Sequence, residues 1–522
     1  MRGTHDAVLI GAGHNALACA AHLAHRGWSV AVFEQAAEPG GAVRSGEYTL
    51  PGFRHDWGAM NLSLFAGSGF HARHAEELRR HGLEFAPVAD CFATAWPDGR
   101  WIGVSTDLEA TAARIAAFSP RDAETWRRLA AAFPAAAAPI LGLMGRPMGM
   151  RAIACFLRDL LRGGGFSGAG ETLRFLLRSP RDWLTETFES PELHAMLAAW
   201  GMHLDFAPDI AGGALFPYLE GMANQNFGMV LGRGGADCMI RALCGMLAAR
   251  GGELHCNAPV TRILRRGNRA VGIRLADGTE IAARRAVIAG VAPRALPGLL
   301  GAAVSRPFDR AMERFRHAPG TMMIHLALSD LPAWPDPALR RFAYVHLAPD
   351  LDSMTRAYSQ ALGGLLPEAP AIVVGQPTAI DPSRAPEGRH ILWLQVRMAP
   401  GRIRGDAAGR IAATDWAEAA EPFAERALDI LDRHAPGIRD RILGRRVFSP
   451  ADLEAWNPNL VGGDQIGGSH HLAQNFLFRP AWGHADGSTP VAGLHMVGAS
   501  VWPGAGVGAG SGFLLGRRLA GN

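Results

Sequence analysis

Gly11-Ala12-Gly13-His14-Asn15-Ala16 is a segment able to hold a pyrophosphate. Gly11 permits a tight turn, Gly13 lets backbone approach phosphate oxygens, and Ala16 lets a helix pack closely on a strand. His14 and Asn15 stand where that helix opens, with free N–H groups and the positive end of the helix dipole. Glu34 is placed to accept hydrogen bonds from a ribose 2′-hydroxyl. The chemistry is dinucleotide binding, and the acid selects FAD or NAD over NADP. A lone glycine motif is weak, but here the complete unit surrounds it. Residues 6–10 read as a buried strand, 16–25 as a helix, and 28–33 as a second strand ending at the acid.

A second set of glycines decides between the two dinucleotides. Gly40 and Gly41 follow the acid at once, and Arg44 adds charge for a pyrophosphate. Far along the chain, residues 493–499 read as turn, strand and glycine turn. The glycine-dense run 502–512 and a short helix over 513–519 follow. Gly498, Ala499, Trp502, Gly506 and Val507 thus form a second cradle. A flavin is long, and its phosphate end and ring end need separate backbone supports. FAD is therefore the expected cofactor, with Trp502 a candidate wall for the ring.

Residues 8–45, Pro382-Ser383-Arg384-Ala385-Pro386-Glu387-Gly388, the glycine-rich segment 462–471 and Asn475-Phe476-Leu477-Phe478-Arg479-Pro480 resemble flavoprotein oxidoreductases of the phytoene desaturase-like family. The branches most similar are the pyridine nucleotide-disulfide oxidoreductase domain 2-like proteins and the desaturase-type β-carotene ketolases. The likeness runs over nearly the whole chain. It implies an FAD-dependent enzyme, with Asp56 to Met60 as the acid-then-glycine segment, Gly58 beside the flavin, and Val260 bonding the adenine through its backbone. One departure stands out. Relatives often read Thr-His-Pro-Gly-Gly-Gly where this chain has Val501-Trp502-Pro503-Gly504-Ala505-Gly506.

These residues need a scaffold. The expected fold class is α/β: a Rossmann-like FAD-binding domain, with a parallel sheet, helices and a β-hairpin layer, plus an inserted α+β substrate domain with a mixed sheet. Segments 1–64, 232–290 and 490–522 make the discontinuous first domain, and 65–231 and 291–489 make the second. Strands are expected at 253–256 with a continuation over 260–264, at 270–275 and 280–283 joined by Asp277-Gly278, and at 286–290. Helices are expected at 108–117, 121–132, 193–203 and 236–249, and strands at 321–328 and 390–398. Residues 204–226 are mixed, broken at Gly212-Gly213. The uncharged stretch 129–145 is interrupted by Pro134 and Pro139 and is too short to span a bilayer, which takes about 20 residues.

Composition narrows the partners. A net charge of +4 over 522 residues, with arginines scattered, gives no nucleic-acid surface. All 52 basic residues are arginine. Without lysine there is no Schiff base and no lysine-held water at a flavin, which counts against amine oxidation. The six cysteines show no CxxC pair, which suits a reducing compartment and excludes a disulfide relay. The N-terminal residues lead straight into the first strand, so a cytoplasmic enzyme is expected; 129–161 reads either as a helical pair covering the substrate cavity or as an apolar rim in peripheral contact with a membrane. No HxxxH or HExxH pattern marks a metal site.

In this chemistry the flavin accepts a hydride, and the protein supplies alignment and dryness. His470 and His471 are the candidate catalytic groups, one of them facing the cavity if they lie on a strand. Trp200 and His203 share a helix face. The leading expectation is dehydrogenation of an apolar carotenoid- or lipid-like molecule, with oxygen or a quinone as final acceptor. Oxygenation of similar substrates, or a flavin-bearing interaction protein, are the alternatives.

Overall fold

The computed structural model describes residues 3–521. Its first sheet has seven strands, with Gly3–Ile10 at the centre. Val30–Phe33 pairs parallel on one side, and Glu253–His255 lies parallel beyond it. On the other side Glu280–Ala289 pairs parallel, and its C-terminal half pairs parallel with Leu494–Met496. Val260–Arg266 and Arg269–Leu275 extend the sheet as an antiparallel pair. Central parallel strands are covered on both faces, so Ala7 to Ile10 and Val30 to Phe33 are apolar without alternation.

Two expectations here are corrected. Glu280–Ala289 is one strand, not two. A register shift opposite His5 and Ala7 lets Arg284 and Arg285 leave the core face without ending the pairing, and both guanidiniums meet Asp6. Conversely, 253–264 is not one run. Asn257, at φ +52°, turns the chain, and the two strands stand at opposite edges of the sheet. The crossing segment passes over the end of Val30–Phe33, where Ala258 N–H donates to the Glu34 carbonyl at 2.8 Å.

Helix His14–His25 buries ten consecutive residues, Asn15 to Ala24. It is alanine-rich because it is squeezed by the sheet and by helices Cys238–Ala249 and Gly510–Ala520. The closest approach is at Gly512, where a Cβ would stand 1.8 Å from the Asn15 carbonyl oxygen.

A second seven-stranded sheet is mixed. Its order is Ile442–Phe448, Gly320–Leu328, His390–Ala399, Ile372–Gly375, Tyr344–Leu347, Asp90–Ala95 and Trp101–Ser105. All neighbours are antiparallel except Tyr344–Leu347 with Asp90–Ala95. Helix Trp416–His434 packs one face through Phe423, Leu428 and Leu431. The other face, with Tyr344 and Trp393, meets a helical layer.

In that layer helix Pro120–Met144 runs straight through Pro134 and Pro139, where interruption was expected. Each proline removes one helical N–H. Packing of Phe133, Ala137, Ile140 and Leu143 against the neighbouring helices outweighs that loss. Met150–Leu177 is two helices meeting at Gly165, which sits at φ +62°, ψ −164°. Within 204–226 the regular part is helix Leu215–Phe227, which closes the layer.

Candidate active site

One cavity of about 1050 Å³ opens along the carboxyl ends of the first sheet and runs on beneath the helical layer. Gly11, Gly13, His14, Asn15 and Ala16 line its first part, and Glu34, Gly41, Arg44, Gly58 and Val260 complete that region. Gly498, Ala499, Trp502, Gly506 and Val507 line it from the last segment of the fold. Gly40 does not reach the surface of the cavity. Its N–H donates to the Ala12 carbonyl at 2.9 Å, and at φ +124° any Cβ would lie 2.4 Å from the Val43 carbonyl. It pins the second glycine turn onto the first, and that bond puts Gly41 against Gly13. Gly58 serves close approach, since a Cβ there would meet the Ala42 carbonyl at 2.8 Å.

The Glu34 carboxylate does more than the sequence showed. Oε2 accepts the Ala12 N–H at 2.7 Å and Oε1 the Ala36 N–H at 2.9 Å. The acid therefore ties the glycine turn to the strand end. His14 meets the Gly506 backbone and lies 2.9 Å from Asn15 Nδ2, so it bridges the two cradles. Burial pushes its pKa down to about 4, against a smaller opposing effect of the Gly506 bond.

His470 and His471 lie in no strand but at a bend before the short turn Leu472–Gln474. Their side chains part company for that reason. His470 lines the cavity, and its Nε2 accepts the Ala505 N–H at 2.9 Å. Burial, then the Arg479 charge, holds its pKa well below the usual imidazole range. A neutral ring with Nε2 as acceptor carries its proton on Nδ1. The lone pair a base would use is thus committed to the loop. His471 turns away from the cavity, with Nε2 2.8 Å from the Asp205 carbonyl and 3.2 Å from the Tyr358 hydroxyl. Its expected catalytic placement is corrected accordingly. Trp502 Nε1 donates to the Arg146 carbonyl at 3.1 Å, so this ring also anchors the loop after helix Pro120–Met144.

Two buried arginines organise the walls. Arg384 reaches Asp56, Asp381 and the Gly232 carbonyl, while Asp56 Oδ1 accepts the Ala236 N–H at 2.7 Å. Arg479 has no carboxylate partner. It donates to the carbonyls of Ser469 and Gly467 at 2.9 Å each and of Ala499 at 2.7 Å. Burial brings its pKa down to about 9, opposed by Asp464 and Asp205. Both arginines sit in the family-like segments, but their distant partners are not visible in local sequence.

The far part of the cavity is aromatic and aliphatic. Tyr344 and Trp393 stack at 5.8 Å, and Trp200 and His203 stand beside them. His203 Nε2 is 3.1 Å from His346 Nε2, and burial keeps both rings neutral. Phe133, Ile140, Leu143, Met144, Phe156 and Leu176 form the roof. Among the described residues, one grouping of metal-ligand type occurs, His25, His74 and Glu77 within 4.8 Å of one another. None of the three lines the cavity, and Arg250 holds one oxygen of Glu77 at 3.3 Å.

The profile of the family described as flavin containing amine oxidoreductase matches residues 17–415. The chain belongs to this family. Its cofactor is FAD, and the residues fit that group: the space over Gly13 is open, and the helix behind it presents unpaired N–H groups. Relatives of the chain span its length. It is 28% identical to pyridine nucleotide-disulfide oxidoreductase domain-containing protein 2 of Rattus norvegicus, over 97% of this chain and 92% of the relative. It is 26% identical to the neurosporene-forming phytoene desaturase of Cereibacter sphaeroides, over 96% and 91%. It is 25% identical to a limonene dehydrogenase component of Castellaniella defragrans, over 99% and 94%. Among solved structures, an oxidoreductase from Methanosarcina mazei superposes with a TM-score of 0.59 at 18% identity, covering 98% of both chains. Like the family, the chain is an FAD-dependent oxidoreductase, and the expected fold class and resemblance hold.

Proposed function

We propose that the enzyme dehydrogenates an apolar, carotenoid- or terpenoid-like molecule, introducing a carbon–carbon double bond. The supporting observation is the continuous cavity, whose far part is roofed by apolar side chains and contains no lysine. Bound FAD supplies the hydride acceptor, with oxygen or a quinone taking the electrons onward. The chain's residues bind and orient. Tyr344 and Trp393 give a flat wall against which an unsaturated chain lies, and the helical roof excludes water. His470 holds the loop at Ala505 in place. Relatives named for phytoene and limonene support an apolar substrate.

A substrate of this kind resides in a membrane. No described helix is long and apolar enough to cross one. The roof helices nevertheless present Phe166, 88% exposed, and Met150, 67% exposed, among Arg151, Arg158 and Arg162. An apolar crest with a basic margin suits contact with an anionic lipid surface. The enzymatic reading is tested by anaerobic mixing of the FAD-loaded protein with phytoene or limonene in micelles. Bleaching of the flavin with a product two hydrogens lighter supports dehydrogenation. Bleaching by polar amines alone overturns it, and in a parallel aerobic reaction under labelled dioxygen, label in the product points to oxygenation instead.

A further inference from the structure

Helix Leu215–Phe227 turns Leu215, Phe216, Leu219 and Ala223 toward the cavity, as an apolar roof requires. Glu220 is in the same lining. Its carboxylate has a single long contact, Asn224 Nδ2 at 3.4 Å from Oε2, and that amide donates better to the Glu220 carbonyl at 2.8 Å. Asn224 also lines the cavity, and its Oδ1 is buried without a partner. A carboxyl open to the cavity and a closed-off amide oxygen thus share one stretch of an apolar wall, the amide oxygen with its hydrogen-bonding capacity unmet. Leaving such groups unpaired is costly, and natural folds rarely tolerate it without a ligand or water to complete them. Tyr344, close enough to feel the Glu220 charge, lines the cavity beside them.

We propose that Glu220 and Asn224 form a subsite for a hydroxyl group on the substrate. The inference rests on the apolar-substrate reading and refines it: the molecule oxidised is a largely hydrocarbon alcohol, not a bare hydrocarbon. A hydroxyl accepts from the Glu220 acid proton, while Asn224, its Oδ1 closed off from the cavity, acts behind the carboxyl through the Nδ2 contact to Oε2. Burial supports this by raising the Glu220 pKa to about 7, so the protonated form is available near neutrality. An ammonium only donates. It would also add a second charge to a cavity already lined by Arg397, whose guanidinium bonds only the neutral oxygens of Thr321, Met202 and His203.

The test uses three fifteen-carbon probes, farnesol, farnesene and farnesylamine, with binding to the FAD-loaded protein read from perturbation of the flavin spectrum. Farnesol is expected to bind about tenfold or more tightly than farnesene. Glu220→Leu should erase that preference, and the isosteric Glu220→Gln should keep most of it. Equal binding of farnesene and farnesol overturns the hydroxyl subsite while leaving the apolar reading intact. A preference that survives Glu220→Leu, or tighter binding of farnesylamine than farnesol, also overturns it. Failure of all three to bind removes both this inference and the apolar reading beneath it.

Discussion

At the scale of single residues, the glycines of the two cradles were legible because their task is local. A tight turn or a close approach leaves its mark at the position itself. His470 and Arg479 were legible only in part, since their roles depend on partners brought up by the fold. His470 sits beside the cavity, but its accepting nitrogen belongs to Ala505. His470→Ala should orphan that N–H, an effect of about 1–3 kcal/mol, and weaken FAD retention. His470→Asn, which still offers an acceptor, should retain more flavin. The ratio of flavin to protein absorbance after gel filtration distinguishes them, and equal loss in both variants would contradict the positioning role. Glu220 could not be picked out, as one acid on an apolar helix face looks like a solvent-facing residue. Its pKa, raised by burial from 4.5 to about 7, gives a signed prediction. The folded state holds that proton more tightly than the unfolded chain, so this group's contribution falls as pH rises from about 4.5 to 7. Glu220→Gln cannot ionise. It should exceed the parent by up to about 3 kcal/mol at pH 8 and match it at pH 4. Denaturant unfolding at both values checks this, and a gap independent of pH would contradict it.

At the scale of elements, strands and helices with strong local patterns stand where expected, among them Thr321 to Leu328 and the helix after Gly13. The misses share a cause in tertiary packing. Arg284 and Arg285 looked like a strand break, yet a register shift gave them Asp6 as a partner. Pro134 and Pro139 looked like helix ends, yet their helix is held by its neighbours. Where elements touch most closely, small changes should tell. Gly512→Ala would force a methyl onto the Asn15 carbonyl and push apart the two helices behind the cradles. A loss of about 1–3 kcal/mol is expected, with flavin release preceding global unfolding. Flavin fluorescence followed alongside circular dichroism during heating reads both events. Arg384→Met should be harsher, since it leaves Asp56 buried without its cation and Asp381 with only the distant Arg233, and about 3–5 kcal/mol is expected in urea unfolding.

At the scale of the whole molecule, the two sheets meet around one cavity, and the helical roof carries both its inner lining and its outer crest. On the proposed reading, the same helices join substrate access to surface chemistry. Cosedimentation with anionic vesicles should fall several-fold in Phe166→Glu combined with Met150→Glu, with FAD content unchanged. Vesicle binding unaffected by the pair would contradict the lipid-facing crest. The sequence foresaw a helical cover over 129–161 but not its break at Gly165, where an exposed aromatic is lifted clear of the fold.

The bond from His22 Nε2 to the Gly521 carbonyl joins residues 499 positions apart. The neighbouring Gly512–Asn15 crossing and the His14–Gly506 contact belong to the same seam. During synthesis, the first cradle emerges from the ribosome long before the second exists. At roughly 5–20 residues per second, the wait is about 25 to 100 seconds. Through that interval helix His14–His25 has no Gly510–Ala520 to cover it, and the flavin lacks half its support. Cofactor loading is therefore a late event, coincident with closure of this seam, and nascent chains halted before residue 498 should emerge without flavin.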